Sequence, residues 1–175
     1  MTPFDLTDGV VLLGVPTDDD VDRITELCQD PDVQRWTTVP SPYHRSDAEW
    51  FISDLVAPGW EQDRMATWGV RDPSDRLLHG MVGVDLSGDA EIGYWMGPAA
   101  RGQGWMTRAA RLAVMTAFGH GVDHIRWKAF VDNEASWRLA QKIGVRFDAT
   151  VRRAVEQRGG WRDAWVGTLL PEELT

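Results

Sequence analysis

The chain has a single cysteine, Cys28, among its 175 residues. One thiol cannot close a disulfide within the chain or build a cysteine-rich zinc site. Its four histidines are scattered without metal-ligand spacing, so no metal is expected. No apolar run approaches the roughly 18 residues of a membrane-spanning helix, and no basic leader precedes an apolar stretch. A cytoplasmic protein without a membrane partner is the expectation. Positive charge is also short: 18 Lys and Arg stand against 27 Asp and Glu, a net charge of −9. Nucleic acid is held by clustered cations, so that balance speaks against it as a partner and suits a cationic one. Repeats, linkers and low-complexity segments are missing too, and residues 1–175 read as one domain. Nothing in the residues chooses between a monomer and a homodimer.

What is present centres on Ala90 to Phe118. Glu91 to Met96 is rich in β-formers, and Gly97-Pro98 stops the strand because proline has no N–H to continue a ladder. A helix is expected from about Gly104 to Gly119. Between the two lies Arg101-Gly102-Gln103-Gly104-Trp105-Met106, which puts backbone without side chains at the mouth of a helix. The first N–H groups of a helix have no internal acceptor and carry the positive end of its dipole, so this turn is an anion site. The amides of Gly102, Gly104, Trp105, Met106 and Thr107 are placed to grip a pyrophosphate, with Arg101, Arg108 and Arg111 nearby. Thr107 stands where a dinucleotide fingerprint needs its third glycine, and no Gly-Lys-Ser/Thr occurs for a P-loop.

The rest of the chain alternates strands and helices. Gly9 to Val15 reads as a first strand, followed by a helix capped at Thr17 with Val21, Ile24, Leu27 and Cys28 inward. Asp32 to Trp36 adds a turn, and Ser46 with Glu49 opens a helix with Trp50, Phe51 and Leu55 inward. Met65 to Val70 and Leu77 to Leu86 are strands of a meander leading into Glu91 to Met96. In His124 to Val131, Ile125, Trp127, Ala129 and Val131 alternate with Arg126, Lys128 and Phe130, which predicts a half-buried strand. Its connection through a helix predicts a parallel pair with Glu91 to Met96. Asn133 caps a helix that Gly144 stops, and Phe147 to Glu156 and Trp161 to Leu170 form a closing hairpin. The fold class is α+β: about seven strands, mostly antiparallel with one central parallel pair, and about four helices.

Arg101 to Met106 resembles the acyl-CoA pyrophosphate signature (Q/R)-x-x-G-x-(G/A) of the GNAT superfamily of N-acyltransferases. Arg101 and Gly104 match it, and Met106 departs from the small sixth residue. Asn133-x-x-Ser136 with Lys142-x-Gly144 resembles a second GNAT element, with Val145 where phenylalanine is common. Glu91-Ile92-Gly93-Tyr94-Trp95 with Gly97-Pro98 is similar to the ribosomal-protein N-acetyltransferase (RimJ/RimL-like) branch.

The resemblance implies direct transfer of an acetyl group from acetyl-CoA to a primary amine, a peptide N-terminus or a small amine, in a ternary complex. It implies cofactor contacts from Arg101, Gly102, Gln103, Gly104, Trp105, Met106 and Thr107, and from Trp95, Met96 and Gly97 around pantetheine and the thioester. Asn133, Ser136, Trp137 and Lys142 complete that set, with the Ser136 hydroxyl beside the sulphur as the acid. Glu91 and Glu156 are the candidate bases; in the branch a carboxylate of the penultimate strand has this role, and here Val155 takes its place. Tyr43 and His44 fall in the segment that covers the acceptor. The alternatives are a non-catalytic CoA-binding or sensory module, and transfer of a larger acyl group such as succinyl.

Overall fold

The computed structural model describes residues 1–175. One sheet runs in the order β1-β2-β3-β4-β5-β6-β8-β7. Its strands are β1 Leu6–Thr7, β2 Leu12–Gly14, β3 Met65–Arg71, β4 Leu78–Asp85, β5 Glu91–Met96, β6 Ile125–Phe130, β7 Arg146–Gln157 and β8 Gly160–Leu169. Every neighbouring pair is antiparallel except β5 and β6, which are parallel as expected. The sheet has one strand more than expected because Leu6–Thr7 folds back onto Leu12 and Leu13. Asp8 holds that turn by accepting the N–H of Val10 and Val11, which also shortens the strand expected from Gly9 to Val15.

The helices are α1 Val21–Leu27, α2 Pro31–Trp36, α3 Arg45–Trp50, α4 Ala57–Glu61, α5 Trp105–Gly119 and α6 Glu134–Lys142. A π turn, Phe51–Val56, fuses α3 to α4, so five helical bodies flank the sheet rather than four. The start of α3 corrects the expected Ser46 and Glu49 box: the His44 N–H donates to Asp47 Oδ2 at 2.6 Å, and the helix begins at Arg45. Ala48, Ile52 and Val56 then take the inward positions, which leaves Trp50 56% exposed instead of buried. No helix is long and apolar enough to cross a membrane.

Two apolar layers hold the sheet. On one face Trp68, Val82, Val84, Ile92 and Trp127 meet the α5 residues Ala109, Ala110, Ala113, Val114 and Ala117. Small side chains let the α5 backbone lie close to the strands, which aims its N-terminus at the end of β5. On the other face Leu78 and Met81 pack on Val21, Ile24, Leu27, Cys28 and Ala48. Burial pushes the Cys28 thiol up to about 12, as suits a core residue. Phe130, expected on the solvent side, is buried because the Arg162 guanidinium covers its ring at 4.8 Å.

An ionic patch closes the start of β6. Hydrogen bonds to Asp89 (2.7 Å) and Asp123 (2.5 Å) raise the His124 pKa above its usual 6.5. A pKa raised by folding adds stability that is complete below about pH 6.5 and fades as the pH climbs through the folded value. His124→Gln should therefore remove part of the stability gained on acidifying across that range, read by urea denaturation at several pH values. An unchanged pH dependence would contradict the assignment.

Candidate active site

The site is opened by a failure of pairing. β5 and β6 pair only through Glu91 with Arg126 and Ile92 with Trp127, and beyond Ile92 the two strands part. The hydrogen-bond parity of β5 then decides which peptide groups face the gap. The Gly97 N–H donates to His79 O at 2.8 Å, toward β4, whereas Ala90 O accepts from Arg126 N–H at 2.7 Å, toward β6. Alternation along the strand turns Trp95 and Gly97 to β4 and leaves Tyr94 and Met96 facing the gap. The expectation for Gly97 is corrected accordingly: its amide is already used and its Cα is packed against Leu27.

The mouth of α5 lies beside this gap. Gly102 and Gly104 have φ of +76° and +78°, the left-handed region that side chains disfavour. The first bond of the helix is Arg108 N–H to Gly104 O, at 3.2 Å, so the N–H groups of Trp105, Met106 and Thr107 have no protein acceptor. Together they form an anion cradle at the positive end of a four-turn helix. Arg101 has a different place from the one expected. Its guanidinium bonds Met96 O (2.9 Å), Asp32 (3.1 Å) and Asp30 (2.5 Å), and so ties α2 to the end of β5. Burial alone would raise the Asp30 pKa, but Arg101 and the N–H groups of Val33 and Asp32 outweigh it and hold the carboxyl below its usual range. The free cations on this wall are Arg138 and Lys142, one turn apart on α6. Arg138 escaped the sequence reading, although its i,i+4 spacing from Lys142 is legible there.

Across the gap, Asn133 caps α6 by accepting the Ser136 N–H at 3.2 Å. That fixes Ser136 at the first turn, with its Oγ 2.9 Å from the Tyr94 hydroxyl and 3.2 Å from Trp127 Nε1. Trp127 Nε1 also donates to Tyr94 at 3.0 Å. Burial pushes the Tyr94 phenol up to about 12, so it keeps its proton in neutral solution. Tyr94 is the second residue that sequence reasoning missed, since alternation along a strand does not say what lies across it.

Two cavities meet here. One, of about 450 Å³, runs between the α5 mouth and α6 and takes in Trp95, Met96, Gly104, Asn133, Ser136 and Lys142. The other, of about 530 Å³, lies on the α1 to α3 side of the sheet and shares Trp36, Ile92, Gly93, Tyr94, Trp95 and Lys128 with the first. Glu91 lines the second and pairs with Lys128 at 2.9 Å. Other expected residues lie elsewhere. Tyr43 is buried in the α1 and α3 core and His44 stands exposed at the start of α3, where its backbone N–H bonds Asp47, so neither lines either of these two cavities. Glu156 is exposed beside Trp161, because the alternation of β7 turns Val155 inward instead. Trp137 packs among Trp127, Phe147 and Trp165 and does not line the first cavity. Gln103 bonds Ala99 O at 3.0 Å and lines neither cavity.

The acetyltransferase (GNAT) domain matches residues 11–146. The chain belongs to the GNAT acetyltransferases. It is 27% identical over 164 residues to the uncharacterized N-acetyltransferase YoaA of Bacillus subtilis (strain 168), covering 91% of this chain and 92% of that protein. In fold it is similar to a protein from Vibrio cholerae assigned as a ribosomal-protein-serine acetyltransferase, with a TM-score of 0.86, 21% identity, and 98% and 100% of the two chains covered. It is also similar to the microcin C7 self-immunity acetyltransferase MccE, solved with acetyl-CoA and AMP, with a TM-score of 0.83, 19% identity, and 94% and 93% covered. The sheet of this GNAT acetyltransferase thus parts at the strands whose residues line both cavities.

Proposed function

We propose that the chain transfers the acetyl group of acetyl-CoA directly to a primary amine in a ternary complex. The observation that carries this is the meeting of two cavities at the parted ends of β5 and β6, with Ser136 on the wall of the first. In this reading the N–H groups of Trp105, Met106 and Thr107 hold the pyrophosphate, and Arg138 and Lys142 add charge. The gap-facing peptide groups of Tyr94 and Met96 hold pantetheine and the thioester carbonyl, where a backbone N–H stabilises charge as it develops on oxygen. The amine nitrogen forms the new C–N bond as the C–S bond breaks, and holding both at attack distance supplies much of the rate.

Two protons then move. Trp127 Nε1 can only donate, and in this reading the Tyr94 hydroxyl, which lies within reach of both Ser136 O and Ser136 Oγ, donates to Oγ and so fills both its lone pairs. The Ser136 proton is left to point into the cavity, toward the departing thiolate. The ammonium proton passes through water in the second cavity to Glu91, the one of the two expected carboxylates that lines it. Thiol release from acetyl-CoA with a panel of amines and peptides tests the reading, and a flat trace with every acceptor would refute it. Gly104→Val should weaken acetyl-CoA binding by at least about tenfold in calorimetry, the worth of one hydrogen bond to a charged group. Unchanged heat would move the pyrophosphate elsewhere.

A further inference from the structure

The register of the sheet shapes the floor of the second cavity. Residues directly opposite on neighbouring strands share a face, so three rows of side chains cross β3, β4 and β5 on the α1 to α3 side. The middle row is Thr67, Gly83 and Gly93. Behind it lie Met65, Asp85 and Glu91, and ahead of it Gly69, Met81 and Trp95. Two adjacent glycines leave a trench that opens at the parted edge of β5 and ends at Thr67. A Cβ at Gly93 would meet nothing within 4 Å, and one at Gly83 would stand 3.2 Å from the Thr67 hydroxyl. The trench crosses two strand spacings, about 10 Å.

Its two ends differ in chemistry. Thr67 lines the cavity and is 4% exposed, yet its hydroxyl has no hydrogen-bond partner, an orphan that interiors rarely keep. Asp85 and Glu91 face each other across β4 and β5, an arrangement that is destabilising unless cations answer it. Lys128 answers Glu91. Asp85 has no basic partner; its Oδ1 takes only the N–H and hydroxyl of Ser87. The forward flank of the trench, Met81 and Trp95, is apolar.

We propose that the acceptor is a primary amine carrying a second cationic group on a short aliphatic chain, an aliphatic diamine being the simplest member. Its reacting nitrogen stands at the gap, its chain crosses Gly93 and Gly83 beside Trp95 and Met81, and its far ammonium meets Asp85 and the Thr67 hydroxyl. This rests on the acetyl-transfer reading above and adds the class of the acceptor. A monoamine of equal length leaves Asp85 and Thr67 unanswered, and selectivity follows from that difference.

The test compares cadaverine with n-pentylamine by thiol release at fixed acetyl-CoA. The kcat/KM for cadaverine should be higher by at least about tenfold. Asp85→Asn should erase the preference, Asp85→Glu should keep part of it, and Thr67→Val should reduce it, each with acetyl-CoA binding by calorimetry as the check on folding. Equal kcat/KM for the two amines, or a preference that survives Asp85→Asn, overturns the diamine proposal and leaves acetyl transfer standing. A peptide N-terminus preferred over every diamine does the same. No thiol release from any amine overturns both. Should Asp85→Asn fail to fold, the comparison of the two amines on the parent enzyme decides alone.

Discussion

Ser136→Ala should lower kcat about a hundredfold while leaving acetyl-CoA affinity close to that of the parent enzyme. The size is that of a positioned general acid, at the low end because a thiolate is already a tolerable leaving group. The affinity should hold because the cradle at the start of α5 and the cations of α6 are untouched. Tyr94→Phe removes the hydroxyl that shares a hydrogen bond with Ser136 Oγ while Trp127 Nε1 still donates to that oxygen, so a smaller loss of about tenfold is expected, with the stability cost of a buried indole N–H left on one partner. Burial holds Tyr94 up at about 12, so the phenol adds no inflection to the rate profile in the neutral range. Steady-state kinetics on both variants, with calorimetric acetyl-CoA binding alongside, separates a proton-transfer role from a structural one. A Ser136→Ala enzyme as fast as its parent would remove the hydroxyl from the mechanism.

The second large effect is on stability and lies far from the gap. Arg71 of β3 makes a bidentate pair with Asp20, at 2.9 and 2.6 Å, and both residues are less than a tenth exposed. Asp20 also accepts the Thr17 N–H at 2.9 Å, so the pair pins the entry to α1 against the sheet. Gly14 makes room for it: a Cβ there would come within 2.8 Å of Arg71 Nε. Arg71→Ala leaves a buried carboxylate without its cation, which costs about 3–5 kcal/mol. For a chain of this length the melting temperature should fall on the order of 10 °C. Replacing both partners, Asp20→Leu with Arg71→Met, should recover much of the loss, because no charge is then stranded. Calorimetric melting of the single and double variants tests this, and an Arg71→Ala enzyme melting within about 2 °C of the parent would sink it.

Local physics was legible in the chain. The strand from Glu91 to Met96, its stop at Gly97-Pro98 and the helix ending at Gly119 follow from β-formers, a missing N–H and a glycine, all interactions within a few residues. The parallel β5 and β6 pair followed from the helix between them. The cradle of Trp105, Met106 and Thr107 followed from two glycines before that helix, and the cap of Asn133 on Ser136 from their spacing. Each depends on neighbours in sequence, where geometry is nearly predetermined.

What sits across from what was decided only when the chain folded. Arg101 has a matching signature position, yet its charge is taken up by Asp30 and Asp32, some seventy residues earlier. Tyr94 and Trp127 meet Ser136 because three separate elements converge, and no periodicity within any of them reports that. Glu156 and Val155 differ by one residue, and the pleat of β7 alone turns one outward and the other toward the cavity. Tyr43 reads as a loop residue and is in fact core, because the packing of α1 on α3 encloses it. The sequence therefore determined the elements and the anion cradle, which arise from short-range backbone forces. The partners of the Ser136 hydroxyl, the gap between two strands and the glycine-floored trench arise from register and packing between distant segments, and those exist only in three dimensions.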